Sequence, residues 1–328
     1  MNATASPSRE RVLAVVGATA SGKTSLSIAL AQHLGGEILS FDSMQVYRGM
    51  DIGTATPTAD ELAAVPHHFI NILDPWEPYS CADFVAMARE RITALRARGV
   101  LPVLCGGTGL YLDGLLRGGS FESSAPGDPA IRERLTALSE QSDGKALLWQ
   151  RLQQIDPESA AATHPNNVKR VIRALEIYES CGRTKTELDR ESRTTDTLCY
   201  NATVLGLRYH DRSLLYRRID SRVDLMLQEG LFEEVERLHR QGLFERSPTA
   251  AQAIGYKELL GVLHGTCSMD NAVAALKLAT RHYAKRQLTW FTARSYVQWI
   301  DADTPDGSLR SLSDVLNDAL RCVTEGNV

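Results

Sequence analysis

The sequence predicts an α/β protein: a parallel sheet flanked by helices, interrupted by an all-helical insertion domain and completed by a helical C-terminal part. Three observations carry this. A glycine-rich loop, Gly17-Ala18-Thr19-Ala20-Ser21-Gly22-Lys23-Thr24, directly follows the apolar run Val12-Leu13-Ala14-Val15-Val16. Strand-like and helix-like segments alternate through the first third of the chain, as expected of parallel strands joined by crossover helices. Between Arg117 and about Tyr200 the alternation stops, and helical patterns rich in Leu, Ala, Arg and Glu replace it.

Residues 12–16 read as a first strand, because a short unbroken apolar run ending at glycine suits a strand covered on both faces. Residues 24–34 form an amphipathic helix, 37–41 a second strand, 81–98 a helix, and 101–105 a third strand entering Gly106-Gly107-Thr108-Gly109. A Gly/Ser/Pro-rich passage over 118–129 opens the insertion, and the polar segment 192–197 closes it. Residues 202–207 return as a core strand. The remainder to about Ile300 reads as helical, with breaks near Gly230, Gly242, Ser247-Pro248 and Gly265. The expected domains are a discontinuous core over 10–119 and 201–304, an insertion over 120–200, and tails at 1–9 and 305–328.

Composition narrows the class. The chain has 328 residues, 43% hydrophobic and 23% charged, with a formal net charge of −4; this is ordinary for a globular protein. No apolar run approaches membrane-spanning length and no apolar leader opens the chain, so a cytoplasmic protein, expected to be a monomer, is predicted. The six cysteines, Cys81, Cys105, Cys181, Cys199, Cys267 and Cys322, contain no CxxC pair, which predicts reduced structural thiols and no zinc site. Net acidity leaves a nucleic-acid partner open, since local clusters of Lys and Arg decide that question.

The glycine-rich loop matches the GxxxxGK[ST] phosphate loop, so the sheet is expected to be P-loop NTPase-like. Gly17 and Gly22 let the backbone curl until successive N–H groups point inward. Lys23 then reaches the terminal phosphates, and Thr24 offers its hydroxyl to a magnesium ion. A di- or triphosphate is implied, with ATP the default occupant.

Asp42 ends the second strand in Ser40-Phe41-Asp42-Ser43-Met44-Gln45-Val46-Tyr47. A carboxylate there can serve as general base, magnesium ligand or N-cap. The third strand runs into Cys105-Gly106-Gly107-Thr108, where many phosphate-loop ATPases carry an acidic residue that helps hold magnesium and water. Neutral Thr108 cannot polarise a hydrolytic water, though it can hydrogen-bond a phosphate or a base. That argues against a motor or switch NTPase and leaves a small-molecule kinase, or a transferase whose leaving group is diphosphate.

Three basic clusters remain: residues 164–173, Arg208 with Arg212, Arg217, Arg218 and Arg222, and residues 281–291. A single charge run is ordinarily a solvated face. Three clusters beside one phosphate crevice favour a large anionic substrate, and the aromatics interleaved in the third and the Asn residues of the first fit a nucleic-acid surface, although Tyr283 fits the core equally. Trp290 and Phe291 fit the core better.

With these residues in view, the chain resembles the bacterial tRNA isopentenyl transferases, the dimethylallyltransferases that modify adenosine 37 beside the anticodon. The resemblance runs from Arg11 to Ile300. It rests on Thr19–Thr24, Asp42–Tyr47, Met50-Asp51-Ile52-Gly53-Thr54-Ala55, Gly106-Gly107-Thr108-Gly109-Leu110-Tyr111, His164-Pro165-Asn166-Asn167 with Arg170 and Arg173-Ala174-Leu175-Glu176, Gly255-Tyr256-Lys257-Glu258, and Ala284-Lys285-Arg286-Gln287-Leu288-Thr289-Trp290. Ala18 stands where the family usually has Pro, and Cys105 where many members have Asn; neither side chain enters the expected chemistry.

The resemblance implies that the loop Gly17, Ala18, Thr19, Ala20, Ser21, Gly22, Lys23, Thr24 binds dimethylallyl diphosphate rather than ATP. A flipped-out adenine enters the channel from the other side. Asp42 is then the general base, Lys23, Arg218 and magnesium on Thr24 neutralise the leaving diphosphate, and Thr108 bonds near adenine or phosphate. Arg217 and Arg222 lie close enough in sequence to take the place of Arg218. Contacts to the tRNA anticodon stem-loop are expected from Asp42, Ser43, Met44, Gln45 and Thr108. Further contacts are expected from Asn166, Asn167, Val168, Lys169 and Arg170, from Gln252, Ala253, Ile254, Gly255, Tyr256 and Lys257, and from Thr280, Arg281, His282, Tyr283, Ala284, Lys285, Arg286 and Gln287.

Overall fold

A computed structural model of the chain describes residues 10–117, 128–193 and 198–325. The expected tail at 1–9 and most of the passages that open and close the insertion lie outside them. The described chain divides into two compact units, Met1–Leu112 with Tyr200–Val328, and Asp113–Cys199.

The larger unit is built on six parallel strands in the order β3-β2-β4-β1-β5-β6. They are β1 (Arg11–Gly17), β2 (Gly36–Ser40), β3 (His67–His68), β4 (Leu101–Gly106), β5 (Asn201–Arg208) and β6 (Val297–Asp301). Central β1 pairs with β4 (Val15 opposite Cys105) and with β5 (Val15 opposite Leu205). Because β2 sets Ser40 opposite Cys105, the carboxyl ends of β1, β2 and β4 finish level. Ligands of open parallel sheets bind beyond such ends.

Val12 to Val16 are buried at every position, as a strand covered on both faces requires. On one face Leu13, Val15, Val103 and Leu205 pack with Leu26 and Leu30 of the helix Lys23–Leu34. The same cluster takes in Val315, Ala319 and Val323 of the helix Leu312–Glu325. The expectation of a tail over 305–328 is therefore corrected. The turn at Thr304 to Ser308 reverses the chain, and an amphipathic helix returns to bury its apolar stripe on the sheet. Residues up to Ile300 were also expected to be helical. The helix Met269–Thr292 instead stops, and β6 adds an edge strand whose Val297 and Ile300 are buried.

The smaller unit is all-helical among its described residues: Pro129–Ser139, Gly144–Ile155, Pro157–Ala161, Val168–Cys181 and Lys185–Arg193. The helix Gly109–Arg117 crosses the boundary between the units, so the second begins ahead of the expected residue 120. It has its own core of Leu135, Leu148, Leu152, Val171, Ile172 and Leu175. Fully buried Glu176 accepts hydrogen bonds from Arg132 at 2.9–3.3 Å and pairs with Arg173 at 3.1 Å, which compensates the burial of its charge.

Candidate active site

The phosphate loop leaves β1 at Gly17 and enters the helix Lys23–Leu34 at Gly22. Gly22 sits at φ 96°, a region that only glycine occupies without strain. Ala20, at φ 61°, holds a left-handed conformation at some energetic cost, and three side chains from outside the loop hold this geometry. Arg218 Nε donates to the Ala20 carbonyl at 2.9 Å, the Tyr209 hydroxyl donates to the Ser21 carbonyl at 3.0 Å, and the Thr19 N–H donates to Gln287 Oε1 at 2.8 Å.

Two cavities meet at this loop. The inner one, about 280 Å³, is lined by Lys23, Thr24, Asp42, Arg222, Tyr283 and Gln287 among polar residues, and by Ile219, Val223, Met226, Leu231, Ile254 and Leu276 among apolar ones. The outer one, about 960 Å³, opens past Ala20, Ser21 and Gly22 toward Thr56, Glu61, Arg217 and Arg218. Lys23, Thr24, Ala55, Arg222 and Met226 border both. The cations thus stand at the neck between an open vestibule and a chamber whose wall is part apolar and part polar. Burial pushes the Lys23 ammonium below its usual pKa; Arg222 adds to that, while Asp42 opposes it. Burial lowers Arg222 as well, again opposed by Asp42. Two desolvated cations side by side make a site that an anionic group stabilises.

The sequence placed Arg218 at the leaving group. The structure has it clamp the Ala20 carbonyl and border the outer cavity, whereas Arg222, one helical turn on, reaches the neck itself. Thr24 borders both cavities beside Lys23 and lines the inner one together with Asp42.

Asp42 is partly buried, and its Oδ1 accepts from the Met44 N–H at 2.9 Å. That bond closes an Asx-type turn just after β2 and leaves the second carboxylate oxygen for the cavity. Beside it, Thr108 Oγ1 accepts from the Ser43 N–H at 3.2 Å, which ties the β4 exit to the Asp42 segment. Gln45 is engaged at both ends of its amide. Its Oε1 accepts from Ser40 Oγ at 3.0 Å, and its Nε2 donates to the carbonyls of Thr54 and Ala55 at 3.3 and 2.9 Å.

Residues 51–55 run between the two cavities, with Gly53, Thr54 and Ala55 on the inner one and Asp51, Ile52 and Ala55 on the outer, and hang from a buried acid. Glu234, in the helix Leu231–Arg240, accepts from the N–H groups of Asp51, Ile52 and Gly53 at 2.9–3.0 Å and from the Tyr256 hydroxyl at 2.7 Å. Replacing Glu234 with Ala leaves one buried donor, the Tyr256 hydroxyl, and three part-buried backbone donors without their acceptor. It is expected to lower stability by about 3 kcal/mol, read as a shift in the urea midpoint at unchanged slope. In sequence this residue looks like part of a solvated acidic face, and nothing local marks it.

The residues expected to touch tRNA fall into three groups. Asp42 to Gln45, Gln252 to Tyr256, Thr280, Tyr283, Arg286 and Gln287 line the inner cavity. Lys257, His282 and Lys285 are exposed in the same unit, and Arg281 is held by Asp220. Asn166, Asn167, Lys169 and Arg170 are exposed at the start of the helix Val168–Cys181 in the helical unit, with Val168 half-buried. Tyr256 and Gln287 reach the inner cavity from buried positions, Gln287 being 5% exposed and bonded to backbone, and Ala284 is fully buried, packed with Ala18 and Ala20 of the phosphate loop. Among the described residues no cluster of three His, Cys, Asp or Glu could hold a metal, and all six cysteines are free thiols. No described helix is long and apolar enough to cross a membrane.

Residues 45–294 match the IPP transferase family, and residues 10–72 match isopentenyl transferase. The chain is 49% identical over 297 residues to tRNA dimethylallyltransferase of Geobacillus thermodenitrificans, covering 90% of this chain and 92% of that protein. Its fold is similar to that of the full-length tRNA isopentenylpyrophosphate transferase from Bacillus halodurans, with TM-score 0.69, 42% identity, and 97% and 98% of the two chains covered. A eukaryotic dimethylallyltransferase acting on tRNA is similar at TM-score 0.75 and 31% identity, over 89% of this chain and 74% of that one.

Proposed function

This chain belongs to the IPP transferase family, and we propose on that footing that it transfers the dimethylallyl group of dimethylallyl diphosphate to N6 of adenosine 37 in tRNA, with release of diphosphate. It is a tRNA-modifying prenyltransferase. The observation that best supports the full reaction is the neck. Lys23, Thr24 and Arg222 gather there beside a chamber that has an apolar patch of Ile219, Val223, Met226, Leu231, Ile254 and Leu276 and one carboxylate, Asp42, while the end of β4 offers only Cys105 and Gly106 to the chamber. Such a site suits an anionic leaving group and an apolar transferred group, and has no acid at the β4 exit to activate water.

The adenine N6 attacks the allylic carbon as the carbon–oxygen bond to diphosphate breaks, and the bonding electron pair leaves on the diphosphate oxygen. N6 is a weak nucleophile because its lone pair is delocalised into the ring. Orientation and charge stabilisation at the leaving group therefore supply much of the acceleration. Lys23 and Arg222 face the growing negative charge, and Arg218 holds the loop that presents it. Asp42 takes the N6 proton with its unengaged oxygen. Thr24 would hold magnesium together with the diphosphate oxygens; when bound, the ion neutralises charge on the departing group. A stacked purine cannot present N6 to an enclosed chamber, so the adenosine must leave its stack. Backbone contacts from the exposed cations at Lys169, Arg170, Lys257 and Lys285 would carry tRNA affinity and make it salt-dependent.

Diphosphate release separates this reading from a kinase. With magnesium, tRNA and dimethylallyl diphosphate, diphosphate should appear only when tRNA is present. ATP in place of the allylic donor should give neither ADP nor phosphorylated product, and tRNA-dependent ADP formation would overturn the proposal.

A further inference from the structure

The long helix Met269–Thr292 carries the run expected to touch tRNA, yet its inward face does something else. Thr280, Tyr283 and Gln287, spaced by three and four residues, all line the inner cavity. Gln287 lies deepest and is buried. Its Oε1 accepts from the Thr19 N–H of the phosphate loop at 2.8 Å, and its Nε2 donates to the Gly107 carbonyl at 3.2 Å. One planar amide thus bridges the loop after β1 and the loop after β4. The site is built around it: a β-carbon at Gly107 would collide with the Gln287 amide.

We infer that Gln287 is a positioning residue for the donor site, setting the phosphate loop against the β4 exit loop and thereby fixing Lys23 and Thr24 relative to Thr108 and Asp42. Each end of the amide makes one bond to backbone, and the side chain is only 5% exposed, so its main engagement is with the two loops. The bridge also explains why the loop can hold Ala20 in a left-handed conformation. Thr19 is pinned on one side of it and the Ser21 carbonyl on the other. Without the amide, Thr19 N–H and Gly107 C=O lose their buried partners and the loop relaxes away from the geometry that grips phosphate.

This rests on the diphosphate reading of the loop, and the experiment separates the two. Wild type, Gln287→Met and Gly107→Ala are titrated with inorganic diphosphate and magnesium by calorimetry, and with unmodified tRNA by filter binding. Met preserves the volume and removes the hydrogen bonds; Ala at 107 displaces the amide without touching the helix. Both variants should bind diphosphate about tenfold more weakly while tRNA affinity stays within twofold. The double variant should be no weaker than the single ones, because each breaks the same link. Unchanged diphosphate affinity in the variants, or a loss confined to tRNA, overturns the inference. Should Gln287→Met fail to fold, Gly107→Ala decides alone. A wild type that binds no diphosphate brings down the donor-site reading as well, whereas unchanged variants beside a binding wild type overturn this inference only.

Discussion

Replacing Asp42 with Asn is expected to lower the single-turnover rate of prenyl transfer by about 10²–10⁴-fold, the usual range for loss of a positioned general base. The Asn side-chain oxygen can still accept from the Met44 N–H as Asp42 Oδ1 does at 2.9 Å, so the turn after β2 should survive and thermal stability should move little. Affinity for tRNA and for diphosphate should stay near the wild-type values, because the lost function is proton acceptance. Near-normal single-turnover rates at saturating tRNA would remove Asp42 from the chemistry. A rise in tRNA dissociation constant with an unchanged rate would make it a contact residue instead.

Lys23→Met should be the other severe variant. Removing a positioned cation from a developing oxyanion typically costs about 10²–10³ in rate, and here donor affinity should fall as well, since Lys23 stands at the neck of both cavities. The pH dependence has a definite sign. Burial lowers the Lys23 pKa in the free protein. Affinity for diphosphate is therefore full below that lowered value and declines as pH rises through it. At pH above that lowered value, binding an anion restores the charged form and draws a proton from solution, so calorimetry there in buffers of different ionisation enthalpy should show proton uptake. For folding the sign is opposite to that of a stabilising ion pair. Between the lowered folded pKa and the ordinary unfolded one, the unfolded chain binds more protons, and stability rises with pH across that window. Lys23→Met should abolish both the proton uptake and that rise; their persistence would assign the titration to another group.

What was legible in the sequence follows from range of interaction. β1, β2, β4 and β5 are short strands with a buried apolar centre, and each is found within a residue or two of its expected place. β3 is only His67 and His68, with no apolar pattern to read. β6 buries just Val297 and Ile300 of five positions, as an edge strand does, and it follows a 24-residue helix whose periodicity masks its onset. The helix Leu312–Glu325 has its stripe at Val315, Ala319 and Val323, but the polar turn ahead of it reads as the end of a domain.

The site divides along the same line. Lys23, Thr24, Asp42 and Thr108 sit in local motifs whose spacing already implies their chemistry. Gln287 meets Thr19 across 268 residues, and Glu234 meets Asp51 across 183. No periodicity or spacing connects such pairs; only the closed fold does. Arg222 is intermediate, since its place one turn beyond Arg218 was visible, but which arginine faces the neck depends on how the helix Arg212–Gln228 rotates against the phosphate loop.

The most direct test of the account is nucleoside mass spectrometry of tRNA after incubation with the protein, magnesium and dimethylallyl diphosphate. Using unmodified tRNA with adenosine at position 37, digestion should yield adenosine heavier by one dimethylallyl group, carried on N6 and mapping to position 37, and the same reaction with Asp42→Asn should yield little of it. Absence of prenylated adenosine from every tRNA with adenosine at that position, under conditions where the protein binds both donor and tRNA, would contradict the account.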